Sequence, residues 1–141
     1  MIKDSDNFIM LSYEKPRHES RLKVTNMKDF AQELGKRIVL KKLELAETLG
    51  KYGGETENSV MLKLPANVKM LDILTERYEA MRLAKDLGQE SILLRVNGEN
   101  FLINAQDERV MMRGVGIKML DSNAADDYTV LNGEKFTLGL D

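Results

Sequence analysis

Ser91-Ile-Leu-Leu-Arg-Val-Asn-Gly-Glu-Asn-Phe-Leu-Ile-Asn104 decides the fold class. Two apolar, partly β-branched runs flank Asn97-Gly98. A two-residue type I′ turn needs positive φ at both central positions, and Asn followed by Gly adopts that at least cost. The stretch therefore reads as a hairpin of antiparallel neighbours. The same device returns at Asn132-Gly133, where Asn-Gly-Glu-x-Phe is repeated. Nothing else repeats at that offset, so the two are independent turns rather than a duplicated unit.

Between the hairpins, Arg109-Val-Met-Met112 and Ile117-Lys-Met-Leu120 read as two further strands joined by Arg113-Gly-Val-Gly116. A polar loop over residues 121–127 precedes the last hairpin. Upstream, Pro65 stands near the first turn of a helix that runs to a stop at Gly88. Its apolar positions, Met70, Leu71, Leu74 and Tyr78 among them, fill about half of the circumference, which predicts burial on two sides. Before it, Val60, Leu62 and Leu64 alternate with Met61 and Lys63 as a short strand, and residues 51–59 read as a loop.

Asn26 caps an earlier helix, with Asp29 at capping-box spacing and Gly50 or Gly53-Gly54 as its stop. Met27, Phe30, Leu34, Ile38, Leu45 and Leu49 form its stripe at a 3.6-residue period. Val39, Leu40 and Leu43 lie outside that stripe and read as an interface. Residues 8–14 predict a strand, and Leu22 and Val24 a short return strand. The fold expected is α+β: a mainly antiparallel sheet built from hairpins and packed on two amphipathic helices. Residues 1–141 form one domain, with the hairpin and helices ending near residue 88 and a β-rich half following.

Composition excludes several functions. The chain has 141 residues, a formal charge of -2, no Cys and a single His, His18. Disulfide frameworks, thiolate metal sites, thiol nucleophiles and multi-His centres are closed, and no metal or cofactor is expected. Charged residues near the start and the absence of any long apolar run predict a soluble, cytoplasmic chain without a membrane span.

The remaining features belong to recognition. Arg109 and Arg113 offer bidentate donors, and Gly114 and Gly116 let backbone amides turn toward an anion, as a nucleotide phosphate requires. Residues 15–51 carry ten Lys and Arg against five acids, and Lys36, Arg37, Lys41 and Lys42 are the candidate nucleic-acid contacts. Asp121, Asn123, Asp126 and Asp127 supply hard oxygens but lack the spacing of a calcium loop. The leading expectation is a non-enzymatic homo-oligomeric protein that recognises an anionic small molecule or a protein partner. A nucleic-acid-binding or regulatory protein is the first alternative. A small enzyme acting on a phosphorylated substrate is the second, with no base that the sequence names.

Overall fold

Both Asn-Gly pairs turn hairpins. In the computed structural model, which describes residues 2–38, 43–52, 55–120 and 127–140, Asn97 and Gly98 have φ of 50° and 80°, and Asn132 and Gly133 have 50° and 79°. The first turn joins β4 (Ser91–Val96) to β5 (Glu99–Asn104) and the second joins β8 (Tyr128–Leu131) to β9 (Glu134–Leu138). The other strands are β1 (Asn7–Ser12), β2 (Glu44–Tyr52), β3 (Glu55–Leu64), β6 (Val110–Val115) and β7 (Ile117–Leu120). The helices are α1 (Met27–Arg37) and α2 (Met70–Asp86).

Among the described residues, nine strands make one antiparallel sheet in the order β6-β5-β4-β1-β3-β2-β8-β9-β7. Its two edges, β6 and β7, are consecutive in the chain and separated only by Gly116, with φ of 88°. They are two halves of one bent strand rather than two strands joined by a loop, and the sheet curls into a nearly closed barrel. The seam is polar. Asn100 Nδ2 donates to the Gly116 and Gly139 carbonyls, both at 3.0 Å, and Gly139 N donates to Gly116 O at 3.1 Å. A Cβ on Gly114 would run into the Gly139 carbonyl, so the two backbones meet where a side chain does not fit.

Each sheet face carries a core. Phe8, Met10, Met61, Phe136 and Leu138 fill the barrel. Ile9, Leu11, Val60 and Leu62 face the other way and pack with Phe30 and Leu34 of α1 and with Ala80 and Leu83 of α2. Burial on both faces is why β1 is apolar at four successive positions instead of alternating with polar residues.

Three further elements differ from the sequence expectation. Leu22 and Val24 form no return strand, because β1 already pairs with β3 on one edge and β4 on the other. The segment instead satisfies the end of α2: Arg17 N and His18 N donate to Gly88 O at 2.9 and 3.0 Å, and Arg21 N to Asp86 O at 2.6 Å. The first helix ends at Arg37, and residues 44–52 are strand β2, paired with β3 from Glu44↔Lys63 to Tyr52↔Glu55. Leu45 and Leu49, four apart, share a face in a helix and in a strand alike, so their spacing does not separate the two. The same pairing places residues 55–59, expected as loop, in β3.

Glycines at the seam and in α1 should respond oppositely to one methyl group. Gly114→Ala is expected to cost about 1–3 kcal/mol, since the barrel closes without room for Cβ. Gly35→Ala, inside α1 with open space around its Cβ position, should stabilise by about 0.5–1 kcal/mol. Urea denaturation of both variants checks the contrast.

Candidate functional site

The outward side of α2 is an apolar stripe that the fold leaves uncovered; Val110, Met111, Met112 and Val115 of β6 and Met119 of β7 are exposed as well. Pro65 turns the chain into the helix, with Val68 N donating to Pro65 O at 3.0 Å and Ile73 N to Lys69 O at 3.1 Å. Ile73, Ala80, Leu83 and Ala84 face the sheet, and the small side chains let the helix lie close to it. On the opposite side, Met70, Leu71, Leu74 and Tyr78 are 55%, 73%, 48% and 54% exposed. Their spacing of three and four residues makes a single stripe. Arg82 stacks over Tyr78 at 5.6 Å and pairs with Glu79 at 3.5 Å, giving the stripe a charged end. The wide apolar arc of this helix is thus buried on one side only.

Of the expected interface residues, Leu43 is half-buried against the helix-side core. Val39 and Leu40 lie outside the described residues. Leu45 and Leu49 of β2 are exposed on the sheet face that carries the helices.

The expected anion site is divided by the alternation of β6. Arg113 pairs across the sheet with Phe101, lies 5.2 Å over its ring, and is 3.9 Å from Glu99. Gly114 pairs with Asn100 and faces the barrel, where it belongs to the seam together with Gly116. Arg109 stands before β6 in a turn, its N–H donating to Asp107 Oδ1 at 3.0 Å and its carbonyl accepting from Asn104 N at 2.8 Å. The two Arg are therefore separated from the glycines by face or by position. The backbone groups of Gly116 and Gly139 that meet at the seam bond to each other and to Asn100.

Within the basic segment, Lys36 pairs with Glu33 at 3.2 Å and Arg37 with Asp86 at 3.1 Å, the latter tying α1 to the end of α2. Lys41 and Lys42 lie outside the described residues, as do Asp121, Asn123 and Asp126; Asp127 is exposed. Among the described residues no cluster of His, Asp and Glu could hold a metal ion, and no helix is long and apolar enough to cross a membrane.

One residue that sequence reasoning passed over is Arg95. It is wholly buried inside the barrel end. Nη1 donates to Asn100 Oδ1 at 2.5 Å, and Nη2 donates to the carbonyl and Oδ1 of Asp4 at 2.7 and 2.8 Å. Among the described residues, Nε has no hydrogen-bond partner. Its signal in the sequence was a lone cation inside an apolar strand, Ile92-Leu-Leu-Arg95-Val96, on the face that alternation sends inward.

Elsewhere on β1, β2 and β3, Ser12 Oγ donates to Asn58 O at 2.7 Å, and Thr48 Oγ1 lies 2.5 Å from Ser59 Oγ. Glu57 reaches this hydroxyl cluster. Burial holds its carboxyl above the usual carboxylate range, the Glu14 charge adds to the rise, and the Ser12 hydrogen bond and the Lys15 and Arg17 charges oppose it. No family model matches the chain, and no curated protein matches it.

The raised Glu57 group fixes a sign for pH dependence. Its protonated form is the one the fold favours, so this contribution is full below the ordinary carboxylate value of the unfolded chain and is lost as pH rises through the higher folded-state value. Glu57→Gln should therefore raise the melting temperature at neutral pH, with the gain vanishing in acid. Melts of the two proteins across pH check it.

Proposed function

We propose that this chain is a non-enzymatic, homo-oligomeric binding protein whose copies meet through the outer stripe of α2. The observation that carries the reading is the placement of Met70, Leu71, Leu74 and Tyr78, four large apolar side chains on the most exposed line of the helix. Contiguous exposed apolar surface of this kind marks interaction sites.

A second copy is the occupant that suits the stripe best, because the stripe complements itself. When two α2 helices cross antiparallel about Leu74, helical geometry sets Met70 of one copy against Tyr78 of the partner subunit, and Leu74 meets its own counterpart. Every large apolar side chain then meets another. Arg82 and Glu79 fall at the ends, where a polar rim belongs.

Light scattering should give a mass about twice the 16.0 kDa of one chain. Leu71→Glu with Leu74→Glu should halve it without lowering the melting temperature of the monomer, since both side chains face solvent in the single chain. A wild-type mass of one chain, or a double variant that keeps the larger mass, overturns the interface.

A further inference from the structure

Residues 2–6 lie across one end of the barrel as a strap that enters the sheet only at Asn7. A tight turn shapes it: Lys3 N donates to Asp6 Oδ2 at 2.7 Å and Asp6 N to Lys3 O at 3.0 Å. Two side chains fasten it. Ile2, 7% exposed, enters the inner core beside Phe8, Phe136 and Leu138. Asp4 supplies the countercharge to Arg95. Asp6 adds a contact of 3.7 Å with Lys63.

We propose that the Arg95 end of the barrel is a binding site for a small apolar carboxylate, and that Ile2 and Asp4 fill it in cis as an apolar group and a carboxylate carried by one short strap.

The ion pair is lopsided. The Arg95 side chain is 0% exposed, whereas that of Asp4 is 81% exposed, so the anion can leave without unzipping a strand. Asp4 places its backbone carbonyl and its Oδ1 on Nη2 and no oxygen on Nε, and Nε is buried with no partner among the described residues. A guanidinium offers its Nε and Nη2 hydrogens in parallel, and a carboxylate free to approach that edge satisfies both. Asn100 holds the guanidinium ready, its Oδ1 taking Nη1 while its Nδ2 is anchored to two seam carbonyls. An empty site would leave a buried cation unpaired, which is strongly unfavourable, so the strap is exchanged for a ligand rather than merely lost. As Ile2 withdraws, the space it vacates lies among apolar side chains, which selects a ligand whose carboxylate bears a hydrocarbon body. The α2 interface plays no part in this site, and a chain that proves monomeric leaves it untouched.

Hexanoate and inorganic phosphate, at matched ionic strength, are the probes for the wild type, Asp4→Ala and Asp4→Ala with Arg95→Lys. Removing the competitor in cis should tighten hexanoate binding on the order of tenfold or more by calorimetry, because the competent state no longer has to displace Asp4. Hexanoate should also raise the melting temperature of Asp4→Ala by more than phosphate does. Arg95→Lys should abolish the gain, since an ammonium keeps the charge but not the paired donors. Equal affinity in wild type and Asp4→Ala, a gain that survives Arg95→Lys, or phosphate acting as well as hexanoate would each overturn the site. Should Asp4→Ala not fold, hydrogen exchange on the wild type decides: saturating hexanoate should accelerate the Lys3 and Asp6 amides while β4 stays protected, and unchanged exchange overturns the proposal.

Discussion

The fold depends on a bend at Gly116. An antiparallel sheet of nine strands ends in two rows of unpaired amides and carbonyls unless it closes on itself. Here the edges are halves of one strand, and the positive φ of Gly116 lets that strand leave β5 and join β9. The join is tight because Gly114 and Gly139 leave no Cβ between the backbones, and it is directional because Asn100 gathers two carbonyls from opposite sides of the seam. A sheet that did not curl would expose Phe8, Met10, Phe136 and Leu138, which together form the inner core.

Closure also explains why a cation is tolerated in the interior. Arg95 lies one strand from the seam, paired across the hairpin with Asn100, so the amide that fixes the barrel joint also fixes the guanidinium. A hydrogen bond between fixed partners in a low-dielectric interior is strong, and one left unmade there is correspondingly expensive. The Nε of Arg95 is thus the costly atom of the barrel, and the strap that neutralises the guanidinium charge does not reach it.

How much of this could be read in the sequence depends on which residues carry a local constraint. Asn97-Gly98 and Asn132-Gly133 specify their turns through backbone sterics alone, and both hairpins are present. Gly88 ends α2 with φ of 71° for the same reason. The strand identity of residues 44–52 is different in kind. Leu45 and Leu49 fit both periods, and nine residue pairs with β3 decide between them, which no window within the segment contains. Leu22 and Val24 have the alternation of a strand, but β1 has no edge left to receive one. Gly114 and Gly116 read as an anion cradle because Gly permits both close approach and positive φ; at Gly114 the backbone of Gly139 makes the close approach, and Gly116 supplies the positive φ of the bend.

Helix α2 marks the other limit of sequence reading. Its hydropathy shows that more of its circumference is apolar than one contact needs, without saying which arc meets the sheet. The structure assigns Ala80, Leu83 and Ala84 inward and Leu71, Leu74 and Tyr78 outward. Ala80 and Ala84 bring the helix close over β1 and β4, and Ile73, Met81 and Leu83 fill the space beside them. Close packing over the sheet favours the arc that carries the two Ala, and Leu71, Leu74 and Tyr78 remain outside.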